Sequence, residues 1–182
     1  MLVREVMGFL EFETNKLGVE VRYRLLPKPI LVEVDLVQIE QVLLNLVRNA
    51  FDALEERPKG QRRLTLSTHQ TADQALVRVE DNAKGIPQDR MKQLFDPFFT
   101  TKETGMGMGL PISETILANH GGHISAESQL GEGTTFSMAL PLARDEKRPI
   151  PGTGNRESRL DALMEEPTAL VPQQADKAGV DA

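Results

Sequence analysis

The chain has 182 residues, 40% of them hydrophobic, and its formal net charge is -6. This suits one domain of ordinary size plus an appendage. The absence of cysteine excludes disulfides, thiolate metal sites and thiol nucleophiles. No apolar run reaches membrane-spanning length and no signal peptide is recognisable, so we expect a cytoplasmic protein with no membrane segment in this chain. The acidic balance and the scarcity of aromatic residues disfavour nucleic acid as a partner.

A helix and two strands are predicted at the beginning of the chain. Residues 2–16 predict an amphipathic helix that ends before Gly18. The apolar side of this helix is assigned to Leu2, Val6, Phe9 and Leu10. Residues 19–25 alternate apolar and charged side chains, which is the period of a half-buried strand, and residues 30–34 predict a short partner strand.

A long helix is predicted from Asp35, a favourable N-cap, to Leu54. Its apolar face consists of Ile39, Val42, Leu43, Leu46, Val47, Ala50 and Leu54. A second, polar stripe consists of Gln38, Gln41, Asn45, Asn49 and Asp52. Because Asn costs up to about 0.7 kcal/mol against Ala in a helix, the two Asn residues suggest a role beyond stability. Amide oxygens suit a Mg2+ ion that also keeps water and phosphate ligands; an exposed face that tolerates amides is the alternative.

The rest of the chain predicts two antiparallel strands, a short helix, a second helix and two final strands. The strands and the short helix are expected at residues 63–67, 75–79, 87–94, 123–128 and 134–140, and the second helix carries Ile112, Ile116 and Leu117. Residues 144–182 are rich in proline and charge and predict a mostly disordered tail, with a weak helical patch at 159–164. Docking of this tail to a partner is the alternative.

Two features of the second half suggest nucleotide chemistry. Glycines at 105, 107 and 109 lead into a helix, where backbone N–H groups and the helix N-terminus favour an anion. Their spacing matches neither the dinucleotide fingerprint nor the P-loop, and a flexible loop is the alternative. Asp81 follows a strand and precedes a glycine-containing turn, where its carboxylate suits an exocyclic amine such as that of adenine; the ordinary use of Asp before a turn is the alternative.

Five segments in this order resemble the catalytic ATP-binding domain of sensor histidine kinases. They are the Asn-bearing helix, residues 81–85, residues 95–102, the glycine run and residues 133–136. The wider superfamily includes DNA gyrase, the large heat-shock chaperone and the mismatch-repair ATPases, and the nitrogen- and oxygen-regulating kinases are the most similar subset. The resemblance covers about residues 19–142. It implies an α/β (α+β) two-layer sandwich, the Bergerat-type ATP-binding fold, with a mixed, mainly antiparallel sheet and helices on one face. Residues 1–18 would lead in from a dimerisation hairpin, and residues 19–143 would form the domain.

The resemblance implies a role for each matching residue. Asn49 would be the Mg2+ ligand, with Asn45 beside it as a second catalytic residue. Asp81 would bind the adenine amino group of ATP, directly and through a water shared with Thr135. Gly85 would let the base approach the backbone.

The remaining implied residues lie mostly in a lid over the phosphates. Phe95, Phe98 and Phe99 would anchor this lid, which spans residues 100–106. Lys102 would be a catalytic contact of the γ-phosphate, with a merely solvated lysine as the alternative. Main-chain N–H groups of Gly107, Gly109 and Leu110 would hold phosphate oxygens. The other implied nucleotide-binding residues are Asp52, Ile86, Thr101, Gly105, Met108 and Thr134.

Three positions separate this chain from other members of the superfamily. Ala83 stands where glycine is usual, which we expect to lower nucleotide affinity if its methyl group intrudes. Asp52 stands where many members carry Lys or Arg, which removes a possible phosphate contact. Asn45 stands where the ATP-hydrolysing relatives carry a Glu general base, and an amide cannot take a proton. The last difference favours phosphoryl transfer over hydrolysis.

The three histidines, His69, His120 and His123, do not show the family's acceptor pattern. We therefore expect the acceptor histidine on a dimerisation domain, in cis in a longer kinase or in trans, with a response regulator receiver domain as the next partner. A catalytically idle nucleotide-binding interaction module is the alternative.

Overall fold

The structure, a computed structural model, describes residues 2–100 and 106–143. Its five strands are β1 (Glu20–Arg24), β2 (Arg63–Gln70), β3 (Gln74–Asp81), β4 (His123–Gln129) and β5 (Gly133–Pro141). They form one sheet in the order β1-β2-β3-β5-β4. β1 is parallel to β2 and the other neighbours are antiparallel. The predicted mixed, mainly antiparallel sheet is confirmed.

The helices described are α1 (Leu2–Phe9), α2 (Glu11–Leu17), α3 (Leu36–Leu54), α4 (Gln88–Met91) and α5 (Gly109–Asn119). Buried side chains of α1, α3 and α5 pack with the inward residues of the strands in one core. On the opposite face of the sheet, Arg22, Arg78 and Glu127 are exposed. Side chains alternate between the two faces of a strand, and this produces the two-layer α/β arrangement. In the described part of the chain, no helix is long and apolar enough to cross a membrane.

The central helix α3 agrees with its predicted pattern. Asp35 is its N-cap, and the Oδ1 of Asp35 accepts a hydrogen bond of 3.1 Å from the Gln38 N–H. Its buried residues are Ile39, Val42, Leu43, Leu46, Val47, Ala50, Phe51 and Leu54. Only Phe51 was missing from the predicted face. Because this face fixes the rotation of α3, the stripe with Asn45 and Asn49 is turned away from the core centre.

The predicted helix over residues 2–16 is divided at Leu10 into α1 and α2. The Leu10 N–H bonds the Met7 carbonyl at 3.2 Å, which is a tighter turn than an α-helix makes. Val3, Val6, Met7 and Leu10 form the buried side. Phe9 is 72% exposed, so its assignment to the apolar side was wrong. The buried residues follow the i, i+3, i+4, i+7 spacing of one helix face, and Phe9 falls outside it.

Two other boundaries differ from the predictions. Residues 30–34 were predicted as a strand, but they form none; β1 pairs with β2 instead. Ile30, Val32 and Val34 do alternate with more exposed neighbours, so the pattern reflects half-burial without a strand ladder. The helix predicted over residues 87–94 is helical only in α4, and Pro87 is its N-cap rather than its first residue. The predicted tail at 144–182 lies outside the described residues.

Candidate functional site

A cavity of about 690 Å³ lies between α3, the N-terminus of α5 and the ends of β3 and β5. This volume is in the range of small-molecule sites. The predicted residues that line it are Asn45, Asn49, Asp52, Asp81, Gly85, Ile86, Gly107, Met108, Gly109, Leu110 and Thr134. The fold therefore brings together residues from the helix, the sheet and the glycine run.

Asp81 forms one end of this cavity. It is the last residue of β3 and is only 4% exposed. Its Oδ1 accepts hydrogen bonds from the backbone N–H of Ala83 at 2.8 Å and of Thr134 at 3.3 Å. Burial raises the pKa of Asp81 to about 6, the two N–H groups oppose this shift, and Glu80 adds to it. The carboxyl group is therefore held rigidly by one oxygen, at the cavity wall.

Thr134, rather than Thr135, accompanies Asp81. Thr134 lies opposite Asp81 in the pairing of β3 with β5 and lines the cavity. Thr135 lies opposite Glu80, on the other face of the sheet. The structure thus does not bring Thr135 to the position where it would share a water with Asp81. Ser128 completes this corner, because its hydroxyl contacts the Thr134 hydroxyl at 2.9 Å.

The amide of Asn45 is engaged with α5. Its Nδ2 donates to the Ser113 hydroxyl at 3.0 Å. A Cβ atom on Gly109 would lie 2.4 Å from Asn45 Oδ1, so a larger residue at the start of α5 would displace the Asn45 amide. Asn49, one turn further along α3, is half-buried and lines the cavity with Asp52. The structure therefore places the Asn45 amide against α5 at the cavity wall, and the roles of Asn45 and Asn49 in catalysis and metal binding stay predictions.

The glycine run forms the other end of the cavity. Gly107 has a φ of +67°, and a Cβ atom there would lie 2.5 Å from the Phe98 carbonyl carbon. The Phe98 N–H donates to the Gly107 carbonyl at 3.2 Å. α5 begins directly after this contact, and the side chain of its N-cap residue, Met108, makes no capping hydrogen bond. The first N–H groups of a helix lack intrahelical partners and favour anions, so this end of the cavity suits phosphate.

Gly85 and Ala83 have packing contacts that the sequence did not indicate. Gly85 lines the cavity with a φ of +76°, but a Cβ atom there would lie 2.2 Å from the Gln129 carbonyl oxygen. The glycine is thus required by the packing of this loop on the turn between β4 and β5, and the approach of a base to its backbone stays a prediction. Ala83 is 2% exposed and belongs to the core. It does not line the cavity, so its methyl group leaves the cavity open.

The phenylalanines predicted to anchor the lid have different environments. Phe95 packs against the core and does not line the cavity. Phe99 lines it, and Phe98 is 74% exposed with a φ of +66°, which is unusual for a bulky residue. Thr101, Lys102 and Gly105, which were predicted to contact the nucleotide, lie outside the described residues.

The cavity also contains charged and apolar residues that sequence reasoning missed. Lys84 forms an ion pair with Glu56, with 2.5 Å between Nζ and Oε1, and both line the cavity. Arg90 of α4 also lines it. Phe136 of β5 also lines the cavity. The sequence could have indicated Arg90, because it is a basic residue just after the first glycine motif. Phe136 was included only as part of the motif at residues 133–136, with no role of its own.

Two of the three histidines, His69 and His120, make hydrogen bonds to neighbouring protein groups. His120 Nε2 accepts from the Asp35 N–H at 3.1 Å, and its Nδ1 lies 2.8 Å from the Ile116 carbonyl, so the Nδ1–H tautomer satisfies both. His69 Nε2 contacts the Ser67 hydroxyl at 3.1 Å. His123 begins β4 and is exposed. His120 thereby connects the end of α5 to the N-cap of α3.

The polar groups of the cavity fit a nucleotide with a magnesium ion. A buried carboxylate at one end suits an amine donor, and the N-terminus of α5 at the other end suits phosphate. Within residues 2–100 and 106–143, no group of three or more His, Cys, Asp or Glu residues is placed to hold a metal. A magnesium ion here would therefore depend on the Asn49 amide, phosphate oxygens and water, which suits its preference for few protein ligands.

Residues 34–144, more than half of the chain, match the family described as histidine kinase-, DNA gyrase B-, and HSP90-like ATPase. The sensor protein FixL of Bradyrhizobium diazoefficiens is 44% identical over 127 residues, which are 69% of this chain and 25% of FixL. The sensory histidine kinase/phosphatase NtrB of Rhizobium leguminosarum bv. phaseoli is 40% identical over 120 residues, which are 59% of this chain and 31% of NtrB. The chain thus spans between a quarter and a third of these curated relatives.

Solved structures agree with this match. The catalytic domain of the histidine kinase ThkA superposes with a TM-score of 0.69 and 31% identity, over 78% of this chain and 90% of that chain. ThkA in complex with the response regulator protein TrrA gives a TM-score of 0.67 and 29% identity, over 78% of this chain and 40% of that chain. Together with the ordered motifs and the cavity they line, these matches show that the chain belongs to the histidine kinase-, DNA gyrase B- and HSP90-like ATPase family and carries an ATP-binding domain of the histidine kinase type.

Proposed function

We propose that this domain binds Mg-ATP in the cavity and transfers the γ-phosphoryl group to a histidine of a dimerisation domain. The observation that carries the proposal is the pairing of a buried carboxylate, Asp81, with an uncapped helix N-terminus at the opposite end of one cavity. An adenine and a triphosphate have the matching chemistry, an amine donor at one end and anionic oxygens at the other.

Each end of the cavity would perform a separate task. Asp81 would accept a hydrogen bond from the adenine amine, its second oxygen being free of the two N–H groups that hold Oδ1. The N–H groups of Gly109 and Leu110 would hold phosphate oxygens at the start of α5. Asn49 would hold the magnesium ion, which offsets phosphate charge. Lys102, outside the described residues, is proposed as the γ-phosphate contact.

Asn45, at the position where the ATP-hydrolysing relatives carry a Glu general base, supports transfer rather than hydrolysis. Asn45 cannot take a proton from water, and its Nδ2 is bonded to Ser113. A neutral imidazole needs no such base, because it is itself the nucleophile. We place this chemistry in the cytoplasm, with a receiver domain as the subsequent acceptor; the ThkA complex with a response regulator supports that partner.

Calorimetric titration with ATP, with and without Mg2+ and with GTP as control, tests the binding step. We expect selective ATP binding that magnesium strengthens. Transfer to a separately produced histidine-bearing dimerisation domain tests the second step. Binding without transfer would favour the idle interaction module, and no binding would contradict both functions.

The metal role of Asn49 has its own test. We expect Asn49→Ala to remove most of the magnesium enhancement of ATP binding, because the amide oxygen is the protein ligand. Gln41→Ala is the matched control, since Gln41 lies on the same helix, is exposed and does not line the cavity. Equal magnesium enhancement in the two variants would contradict this assignment.

A further inference from the structure

Arg62, just before β2, is a buried cation without a carboxylate partner in the described part of the chain. The residue is only 9% exposed. Its Nη1 donates to the Leu17 carbonyl at 2.9 Å, its Nη2 to the Glu55 carbonyl at 2.8 Å and its Nε to the Arg57 carbonyl at 2.8 Å. Buried charges are usually paired with an opposite charge, so three backbone carbonyls replace the usual anion here.

The positions of these carbonyls explain the arrangement. Leu17 is the last residue of α2, and Glu55 is the C-cap of α3. The last carbonyls of a helix lack intrahelical partners and carry the negative end of the helix dipole. The rigid guanidinium fork of Arg62 can bond several such groups in fixed directions. One side chain therefore fixes the end of α2 relative to the end of α3.

The same network continues to the base end of the cavity. Arg57 Nη1 donates to the Asn82 carbonyl. The Asn82 side chain accepts from the Arg63 N–H at 2.8 Å and donates to the Gln61 carbonyl at 2.9 Å. Asn82 directly follows Asp81, whose carboxyl group lines the cavity. A continuous set of hydrogen bonds thus runs from the end of α2 to the residue after Asp81.

We propose that Arg62 is a positioning residue that couples the end of α2 to the nucleotide cavity. A change in the position of α1 and α2 would reach Asp81 through Arg62, Arg57 and Asn82. The inference rests on the proposed function, because the coupling is detected as an effect of ATP binding. Coupling between two sites is reciprocal, so ATP must also stabilise the end of α2 if the end of α2 affects ATP binding.

Hydrogen exchange of residues 14–19, with and without Mg-ATP, tests this coupling. The variant is Arg62→Lys, which keeps the charge but replaces the fork with one ammonium group on a flexible stem. Arg63→Lys is the matched control, since Arg63 is adjacent and its side chain makes no hydrogen bond or ion pair in the described residues. We expect Mg-ATP to slow exchange about fivefold in the wild type and the control, and not in Arg62→Lys.

Two other results would overturn the coupling. One is slowing that persists in Arg62→Lys, even if exchange is faster throughout that variant, because this indicates a purely structural role. The other is a wild-type protein that binds Mg-ATP without slower exchange at residues 14–19. A wild-type protein that does not bind ATP would contradict the proposed function itself and the coupling with it.

A second variant covers the case in which Arg62→Lys does not fold. Gly18 caps α2 with a φ of +64°, and a Cβ atom there would meet only the side chain of Lys59, at 3.8 Å. Gly18→Ala therefore strains the end of α2 without touching the cavity. We expect its ATP affinity to fall severalfold. Unchanged affinity in a folded Gly18→Ala protein would overturn the coupling.

Discussion

The two ends of the cavity are built in different ways. At the base end, Asp81, Thr134 and Ser128 belong to paired strands and are connected by hydrogen bonds. At the glycine end, Gly107 lies against the backbone of Phe98 and Phe99, and Gly109 lies against the side-chain amide of Asn45. Next to that end, Phe98 has a positive φ and Met106 is 81% exposed.

This difference suggests that the base end selects the nucleotide and that the glycine end adjusts to its phosphates. The base end is set by the register of the sheet, so its geometry is fixed when the chain folds. The glycine end depends on a few close contacts beside a residue with an unfavourable backbone conformation, and such strain is often found where a site must change. We therefore expect changes at the base end to alter which nucleotide binds, and changes at the glycine end to alter how firmly the phosphates are held.

The largest effect is expected from Asp81→Asn. The amide oxygen can still accept from Ala83 and Thr134, but the amide N–H₂ group replaces the acceptor that faces the cavity. Loss of a hydrogen bond to a charged group costs about 1.5–3 kcal/mol, so we expect ATP affinity to fall roughly a hundredfold. Calorimetric titration measures it. An affinity within a factor of about three of the wild type would contradict the base-binding role.

The same variant should be more stable than the wild type at neutral pH. Because burial raises the pKa of Asp81 to about 6, its ionisation costs folding free energy as pH rises from about 4 to 6, and the whole cost remains above pH 6. Two pKa units correspond to about 3 kcal/mol. Thermal unfolding should show a stabilised variant at pH 8 and no difference near pH 3. An equal difference at both pH values would contradict the raised pKa.

Gly107→Ala tests the glycine end. The new methyl group would collide with the backbone of Phe98, which cannot rotate away, and a φ of +67° is unfavourable for alanine. Overpacking costs about 1–3 kcal/mol, so we expect ATP affinity to fall about tenfold. If the two ends are independent, affinity for adenosine, which lacks phosphate, should not change. Equal losses for ATP and adenosine would remove the distinction between the ends.

The pH dependence of binding sharpens the contrast further. A carboxylate that accepts from adenine must be ionised, so ATP affinity should weaken as pH falls through about 6. At pH 5.5 the expected loss is about fourfold relative to pH 8. Asp81→Asn should lack this part of the pH dependence, so the comparison separates protonation of Asp81 from protonation of the ATP phosphates. If the wild type and Asp81→Asn showed the same pH profile, the pH dependence would be assigned to the phosphates and not to Asp81.

The smallest effect is expected from Gly8→Ala in α1. A Cβ atom there meets nothing within 4 Å, and alanine is favoured over glycine in a helix by roughly 0.5–1 kcal/mol. We expect a slightly higher unfolding temperature and unchanged ATP affinity. The variant is thus the control for Gly107→Ala, with the same substitution in an open position. Weaker ATP binding in Gly8→Ala would show that glycine substitution alone does not identify the cavity.

Local sequence patterns predicted the central helix α3 well. The buried face of α3 follows helical spacing, and this spacing also determines which side Asn45 and Asn49 occupy. Asp35 was recognisable as an N-cap because capping depends on a single turn of chain. These features need no information from distant residues.

Other outcomes depend on distant strands or loops, which local patterns do not describe. Thr134 and Thr135 are neighbours, and only the register of β5 against β3 determines which one faces the cavity. Residues 30–34 have a strand-like alternation, but β2 pairs with β1 instead. The need for glycine at Gly85 comes from the carbonyl of Gln129, which is far away in sequence. Residue spacing contains none of this information.

The contact between α1 and β1 has a practical consequence. The chain has one tyrosine and no tryptophan, so its fluorescence beyond phenylalanine comes from Tyr23 alone. The guanidinium carbon of Arg4 lies 5.0 Å from the centroid of this ring, and Tyr23 does not line the cavity. Its emission is therefore an intrinsic optical reporter of how α1 sits on the sheet, and a change on adding ATP would register movement of the amino-terminal helices without an attached dye.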